Sequence, residues 1–413
     1  MSTTSVFDVC VVGAGLWGSA AAKYCSERDG ISVCLVGPSE PKTQQDRLSS
    51  RVFGAHHDEG RIYRTADPIF EWGELARRSV EKYRDIELTT GLSFHEEVGC
   101  MFVTVKGSNY HNRTSEFAKK NDVHIKDISH AEALHRIEFM SLDMLTSKHG
   151  EEGVVTLLQE TEAGHMNPRQ LLAAQLQIAR SRGCEVVNDV VNHVIDHEDE
   201  DIIELVTDSN RVIKARRVLL CTGAYTAVGG LLPRGQVLDL KLTKQQVVFI
   251  EVSEKDRKRL SGMPVVILHE DRDYGRDGYI LPPIQYTNGK YYLKIGHHTV
   301  GEEELSSNEE MVAWFRSQGT SETEIRLSRN IRQLFPELVP LSTHSETCVT
   351  VTTPTRKLYC DMVTPRLGVL VGGNGWGAKS SDEIGRMGAG MILSGSWDHD
   401  MPQDVFKAMW KES

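Results

Sequence analysis

The stretch VFDVCVVGAGLWG, residues 6–18, decides the fold. Val6 to Val12 is an apolar run that ends at a glycine turn, which is typical of a buried strand. Ala and Leu recur at helical spacing over residues 16–28, and Ile31 to Val36 is a second apolar run. A strand, a helix and a second buried strand in this order predict the βαβ unit that opens a doubly wound α/β domain.

Three glycines lie between the first strand and its helix, in the pattern Gly13-x-Gly15-x-x-Gly18. Gly13 permits the tight turn, Gly15 lets a pyrophosphate approach the backbone, and Gly18 lets the helix pack closely on the strand. In this context the pattern predicts a dinucleotide site. Leu16 and Trp17, which stand inside the motif, are included among the expected cofactor-binding residues.

One part of the usual dinucleotide site is absent from the sequence. Such folds place an acidic residue at the end of the second strand to hold the ribose hydroxyls. That position is Gly37 here. Ser39 or Glu40 is a possible substitute, and the backbone or water is another.

Two later segments repeat the pattern of a buried strand that runs into a glycine turn, and they favour FAD over NAD. They are residues 218–224 and residues 367–377. FAD proteins use such turns near the cofactor, so Gly223, Gly375 and Gly377 are expected to contact it.

The nucleotide-type segments at both ends and in the middle of the chain predict two interleaved domains. Residues 245–300 are rich in β-branched and aromatic residues and predict a sheet, while residues 308–334 have a helical pattern. The predicted fold class is α/β: a Rossmann-like FAD-binding domain interleaved with an α+β substrate domain on a mostly antiparallel sheet. The FAD-binding domain is expected to comprise residues 1–92, 160–236 and 345–413, and the substrate domain residues 93–159 and 237–344.

Composition excludes several classes of partner. The 413 residues carry a net charge of −11 with a pI near 5.8, which argues against nucleic acid and anionic membranes. The eight cysteines form no CxxC pair, so they are expected to be reduced thiols of an intracellular protein without a metal site. No apolar run reaches the ~18 residues of a membrane span, and no signal peptide is expected. We expect a cytoplasmic protein, with a monomer favoured.

Four further motifs follow the glycine fingerprint along the chain, and each is weak alone. The four are GAHHDEGRIYR (54–64), KIGHHTVG (294–301), Cys348 followed by Thr353-Pro354, and GWGAK (375–379). Together with the fingerprint, these motifs make the chain resemble the sarcosine oxidase family of FAD-dependent amine and amino-acid oxidases over nearly its whole length.

The resemblance implies roles around the flavin. Cys348 matches the cysteine that carries FAD covalently through the 8α-methyl group, and Arg61 matches an arginine beside the flavin. Lys294 matches the lysine where oxygen is reduced, where a positive charge stabilises developing superoxide.

The resemblance also implies a substrate site. Arg64 and Lys379 match the residues that grip the substrate carboxylate. A buried pair of cations without an anionic ligand would be costly, so the ligand is expected to supply a carboxylate. Tyr279, His57 and His298 match positions that line the substrate or flavin, although a structural role for the two histidines stays open.

The chain departs from the family pattern at several positions. Trp376 stands where sarcosine oxidases have His, which suggests a different or cyclic substrate, and it is counted as a substrate-binding residue. Thr350 replaces an aromatic residue two positions after the cysteine. Asp58 and Glu59 add negative charge close to the expected flavin.

The expected function is oxidation of the C–N bond of a secondary or cyclic amino acid to an imine, with reoxidation by O2 to give H2O2. The partners expected are therefore a small amino acid and O2. Three alternatives stay open: an FAD dehydrogenase with another electron acceptor, an NAD-dependent dehydrogenase that uses the fingerprint alone, and a catalytically silent flavin-binding protein.

Overall fold

A computed structural model describes residues 6–137, 140–228, 230–270, 277–297 and 303–411. Within these ranges the chain forms twenty strands: β1 (Val6–Val12), β2 (Val33–Val36), β3 (Arg61–Arg64), β4 (His95–Glu96), β5 (Cys100–Val105), β6 (Lys126–Ile128), β7 (Val154–Gln159), β8 (Ala163–Met166), β9 (Glu185–Val187), β10 (Val191–His197), β11 (Ile202–Thr207), β12 (Val212–Leu220), β13 (Lys241–Glu251), β14 (Val265–His269), β15 (Gly278–Gln285), β16 (Tyr291–His297), β17 (Glu304–Leu305), β18 (Ser342–Thr352), β19 (Tyr359–Met362) and β20 (Leu367–Val371).

The same ranges contain twelve α-helices: α1 (Leu16–Cys25), α2 (Gln44–Ser49), α3 (Phe70–Thr90), α4 (Asn109–Lys120), α5 (His130–Arg136), α6 (Asp143–His149), α7 (Pro168–Ser181), α8 (Tyr225–Val228), α9 (Glu254–Arg259), α10 (Asn308–Arg316), α11 (Ser321–Leu334) and α12 (Ser381–Ser394). Short 3-10 turns occur at Glu151–Gly153, Glu198–Glu200, Pro233–Gly235 and Gln403–Phe406.

The first sheet is the doubly wound one. Its parallel strands lie in the order β9-β2-β1-β12-β20, with β19 antiparallel to β20 at the edge. The strand β11 pairs antiparallel with the first half of β12, and β10 pairs antiparallel with β11. The predicted Rossmann-like sheet is therefore confirmed, and its strands come from three separate segments of the chain.

The helix that follows the fingerprint packs closely against the last long helix, because small residues face each other there. Ala20, Ala21 and Ala22 in α1 are fully buried. A Cβ atom at Gly385 of α12 would lie 2.2 Å from the Cβ of Ala20. The close approach fixes α1, and with it the glycine turn at its N-terminus, against the sheet.

The second sheet has the order β17-β13-β16-β15-β14-β5-β7-β6, and β18 pairs with β13. Every pairing in it is antiparallel except that of β14 with β5. The mostly antiparallel sheet is therefore confirmed. The strand β18 belongs to this sheet throughout its length, across the boundary expected at residue 344/345. A third sheet of β3, β8 and β4 lies beside the two.

One predicted helix is wrong in its extent. Residues 308–334 form two helices, and the first ends at Arg316. Gly319 follows with φ of 81°, a left-handed conformation that an uninterrupted helix does not contain, and Thr320 caps the second helix through the Thr323 N–H.

No helix in the described part of the chain is long and apolar enough to cross a membrane.

Candidate active site

A cavity of about 1350 Å³ lies between the carboxyl ends of the parallel strands and the second sheet. A typical small-molecule pocket is roughly 300–1,000 Å³, so this cavity has room for a dinucleotide and a small substrate together. Most of the predicted site residues line it: Gly13, Gly15, Leu16, Trp17, His57, Arg61, Arg64, Gly223, Tyr279, Cys348, Gly375, Trp376, Gly377 and Lys379. Gly18 and Lys294 lie behind its wall, and His298 lies outside the described residues.

The glycine turn has the shape that its sequence predicts. Gly13 has φ of 106°, and a Cβ there would lie 2.4 Å from the Cys221 carbonyl oxygen. A Cβ at Gly18 would lie 1.8 Å from the Gly13 carbonyl oxygen. Gly15, by contrast, faces open space, where a Cβ would meet only the His56 ring at 3.8 Å. The turn therefore leaves room for a phosphate at Gly15, at the N-terminus of α1.

The first and third glycine turns are joined directly. The Trp17 indole N–H donates to the Gly377 carbonyl oxygen over 2.8 Å. A Cβ at Gly377 would lie 2.8 Å from the Trp17 ring, while one at Gly375 would meet nothing within 4 Å. These contacts explain why glycine stands at 377 and leave the backbone at 375 open to a ligand. The residues present thus fit a dinucleotide cofactor.

Gly37 cannot be replaced by an acidic residue, because a Cβ there would lie 2.4 Å from the Ala14 nitrogen. Glu40, three residues later, lines the cavity instead. Its carboxylate accepts from the Arg169 Nε over 2.7 Å and contacts His56. A fixed carboxylate at this edge is suitable for holding ribose hydroxyls.

Glu40, His56 and His57 place three potential metal-ligating atoms within 4.8 Å of one another. The guanidinium of Arg169 is already bound to Glu40 and carries positive charge into the same cluster. A divalent cation would meet that charge directly, so the cluster does not support a metal site. Burial lowers the pKa of His57, which favours its neutral form.

Asp58 binds the predicted oxygen-reducing lysine. Lys294 is 1% exposed, and its ammonium lies 2.7 Å from Asp58 Oδ2. Arg61 also pairs with Asp58, and the Tyr286 hydroxyl donates to Asp58 Oδ1 over 2.8 Å. Burial lowers the pKa of Lys294, although Asp58 acts in the opposite direction. Asp58 and Arg61 line the cavity and Lys294 lies behind them.

Tyr279 lines the cavity next to Gly296 of the KIGHHTVG motif. A Cβ at Gly296 would lie 2.5 Å from the Tyr279 hydroxyl oxygen, so the glycine of that motif makes room for the ring. His297, the neighbour of the predicted His298, lines the cavity at the end of β16.

Arg64 and Lys379 come from opposite ends of the chain and meet at one carboxylate. Arg64 Nη1 lies 2.7 Å and Lys379 Nζ 2.6 Å from Asp67 Oδ2, and the Asp67 side chain is fully buried. Asp67 therefore supplies an anion to the pair, so burial of the two cations does not by itself require an anionic ligand. Asp67 lies behind the two cations, which themselves line the cavity. The group retains one net positive charge when Lys379 is protonated.

The protonation state of Lys379 depends on the charges around it. Burial, with Arg64 close by, lowers the pKa of Lys379 to about 8, although Asp67 acts to raise it. An anion that binds beside Lys379 would favour the protonated form. The group therefore responds to an anionic ligand at near-neutral pH.

The Trp376 ring contacts two other side chains. Its ring lies 6.0 Å from that of Trp72 with an interplanar angle of 28°, and Arg356 lies over it at 5.1 Å. Arg356 also lines the cavity, a residue that no motif had indicated.

Cys348 is positioned by its backbone in β18. Its carbonyl oxygen accepts from the Trp314 indole N–H over 2.9 Å, and its side chain reaches the cavity. Burial raises the pKa of the Cys348 thiol, and Arg61 opposes that shift. None of the described cysteines forms a disulfide.

The parallel sheet, its glycine turns and the cavity have the form of a dinucleotide-binding protein. The chain belongs to the DAO family of FAD dependent oxidoreductases, whose model matches residues 8–391. This membership supports FAD and disfavours the NAD-dependent alternative, and it makes the protein an oxidoreductase enzyme.

Curated relatives agree with the expected resemblance. Monomeric sarcosine oxidase of Arthrobacter sp. (strain TE1826) is 24% identical over 415 residues, which cover 97% of this chain and 96% of the relative. N-methyl-L-tryptophan oxidase of Escherichia coli O81 (strain ED1a) is 24% identical over 232 residues, covering 55% of this chain and 56% of the relative. The resemblance to the sarcosine oxidase family is confirmed.

Solved structures share the fold. The Tyr258Phe mutant of NikD, an unusual amino acid oxidase essential for nikkomycin biosynthesis, matches with a TM-score of 0.78 at 18% identity, covering 99% of each chain. L-proline dehydrogenase from P. horikoshii matches with a TM-score of 0.73 at 18% identity, covering 98% of this chain and 97% of the other.

Proposed function

We propose that this protein oxidises the C–N bond of a secondary or cyclic amino acid to an imine. The observation that carries the proposal is the pair of cavity-lining cations, Arg64 and Lys379, held by Asp67 in the same cavity as the glycine turns. Their remaining positive charge suits one substrate carboxylate. The relatives named for sarcosine and N-methyl-L-tryptophan support an amino-acid-like amine.

FAD would be held by the glycine turns and by the side chains of Glu40 and Cys348. Gly15 and Gly375 offer open backbone for phosphate and flavin groups, and Glu40 would hold the ribose. Cys348 would form the covalent link. Bound FAD supplies a two-electron acceptor for the substrate C–H bond next to nitrogen.

The chain itself contributes orientation and charge. Arg64 and Lys379 fix the carboxylate, which turns the amine end of the substrate toward the rest of the cavity. Tyr279 and Trp376 line the cavity, and their aromatic side chains would reduce contact of the substrate with water. His57 is favoured in its neutral form, and its buried Nδ1 has no hydrogen-bond partner among the described residues. We assign to this nitrogen the acceptance of a hydrogen bond from substrate or cofactor.

Two candidate functions, an oxidase and a dehydrogenase, differ in the molecule that accepts electrons from the reduced flavin. Lys294 supports the use of O2, as its match to the family lysine implies. The pairing of Lys294 with Asp58 favours the second candidate, a dehydrogenase that passes electrons to another acceptor, because the carboxylate offsets the charge that would stabilise superoxide. We retain oxidase as the first candidate.

The test is a turnover assay with secondary and cyclic amino acids that measures oxygen consumption, peroxide and imine hydrolysis products together. An oxidase gives one peroxide per substrate oxidised. Substrate-dependent reduction of an artificial dye without peroxide would select the dehydrogenase. Failure of all such amines in both assays would overturn the proposal.

A further inference from the structure

Among the other cationic residues that line the cavity, Arg356 lies against Trp376. Arg356 lines the cavity from the loop after β18, and its guanidinium is half-buried. In the described part of the chain no carboxylate forms a salt bridge with it. The neighbouring Lys357 differs, because its ammonium pairs with Glu71.

Arg356 is held in place by several contacts. Its guanidinium lies over the Trp376 ring at 5.1 Å, and its carbonyl oxygen accepts from the Trp72 indole N–H over 2.8 Å. Its backbone N–H donates to the Thr353 carbonyl oxygen over 3.1 Å.

The backbone of Arg356 is also unusual. Its φ is 60°, in the left-handed region that few residues other than glycine and asparagine adopt without cost. Such conformations persist where the surrounding structure enforces them, and they concentrate at ligand sites. The loop thus fixes a guanidinium at the cavity wall instead of releasing it to solvent.

The positive charge of Arg356 determines the kind of ligand group that it can bind. The Arg64, Asp67 and Lys379 group has charge for one carboxylate, and Arg356 adds one further positive charge beside Trp376. A planar guanidinium stacked on an aromatic ring keeps its N–H groups free at the edge, where they match a carboxylate. Burial acts on Arg356 without a compensating partner and lowers its pKa, so an anionic ligand would be stabilising.

We propose that Arg356 is a specificity-determining residue that binds a second carboxylate of the substrate. The inference rests on the proposed function and narrows it: preferred substrates are secondary amines with two carboxylates, one at Arg64 and Lys379 and one at Arg356. Amines with a single carboxylate bind more weakly but in the same orientation.

The test compares N-methylglutamate with its neutral isostere N-methylglutamine, and with N-methylglycine as the smallest monocarboxylate. Dissociation constants are measured anaerobically from the flavin spectrum of the holoenzyme, and ligand-induced shifts in Tm give a second readout independent of turnover. The variants are Arg356→Asn, chosen because Asn tolerates the left-handed backbone, and Arg356→Lys. Lys357→Gln is the matched control.

The wild type should bind N-methylglutamate about tenfold or more tightly than N-methylglutamine. Arg356→Asn should abolish that preference while N-methylglycine binds as before, Arg356→Lys should restore part of it, and Lys357→Gln should keep it. Equal affinity of the wild type for both isosteres, or equal loss of all three ligands in Arg356→Asn, would overturn the inference. If N-methylglycine still reduces the flavin in that case, the proposed function stands. If no amine binds to the holoenzyme or reduces its flavin, the proposed function and the role of Arg356 are both wrong.

Discussion

The Lys294 ammonium lies 2.7 Å from Asp58 Oδ2, and both side chains are buried. Lysine at this position was expected to act as a positive charge beside the flavin. Asp58, which stands 236 residues earlier in the chain, offsets that charge and also binds Arg61. The two cations and one carboxylate leave less positive charge at the cavity wall than Lys294 and Arg61 alone would.

Replacing Asp58 should therefore raise the rate of the reaction with oxygen. In Asp58→Asn, the isosteric amide keeps the shape and removes the negative charge, so the reduced enzyme should react with O2 about tenfold faster while Lys294 is protonated. Asp58 acts to raise the pKa of Lys294, so the gain should be largest at low pH, where Lys294 keeps its charge without this partner. Reduction by substrate should change much less. Stopped-flow measurement of the two half-reactions separates them. Lys294→Met should have the opposite effect on the oxygen reaction. An unchanged oxygen rate in both variants would show that this cluster does not control it.

Covalent attachment of FAD should depend on Cys348. Acid-precipitated wild-type protein should stay yellow, and a peptide that contains Cys348 should carry the flavin mass. Cys348→Ala should release all its flavin into the supernatant. Cys221→Ala is the matched control, because Cys221 also lines the cavity and should leave the attachment intact. Colour lost from the wild-type precipitate would refute the covalent link.

Glu40 should contribute to FAD affinity. In a Cys348→Ala background, where binding is reversible, Glu40→Gln should weaken FAD binding about tenfold, because the ribose hydroxyls lose a charged acceptor. Glu59→Gln is the control, since Glu59 also pairs with Arg169 but is absent from the cavity wall. Fluorescence titration with FAD gives the constants. Equal effects of the two variants would assign the loss to Arg169 and remove Glu40 from the ribose site.

Binding of a carboxylate should weaken as pH rises through about 8, the value to which burial and Arg64 lower the pKa of Lys379. Below that pH Lys379 is protonated and attracts the anion; above it the charge is lost. The ligand should be a carboxylate without an amine, so that only the protein titrates. Its dissociation constant is measured from pH 6 to pH 10. Lys379→Met should remove the pH step, and a wild-type affinity that rises with pH would contradict the assignment.

The sequence contains enough local signal to predict the elements that hold the nucleotide. Val6–Val12 forms the strand that its apolar run indicates, and Val33–Val36 forms a strand within the second apolar run, Ile31 to Val36. Each of these patterns lies within one stretch of chain. The break near Gly319 was missed because the helical pattern continues on both sides of it.

Long-range pairing explains what the sequence could not predict. Asp58 is visible next to the flavin motif, but its choice of Lys294 depends on how β16 packs against the loop before β3. Asp67 stands three residues after Arg64, a spacing that suits a local ion pair, yet its contact with Lys379 crosses 312 residues. Arg356 has no motif at all, and only the fold places it over Trp376.

Anaerobic mixing of the holoenzyme with matched pairs of amines tests most directly whether the protein oxidises an amine that carries a carboxylate. Each pair consists of a secondary or cyclic amino acid and its decarboxylated analogue, and flavin absorbance reports reduction. The amino acids should bleach the flavin, and the decarboxylated analogues should do so at least about tenfold more slowly or bind more weakly. Flavin that is bleached equally by both members of every pair would contradict the carboxylate site, and flavin that no member bleaches would contradict the proposed oxidation itself.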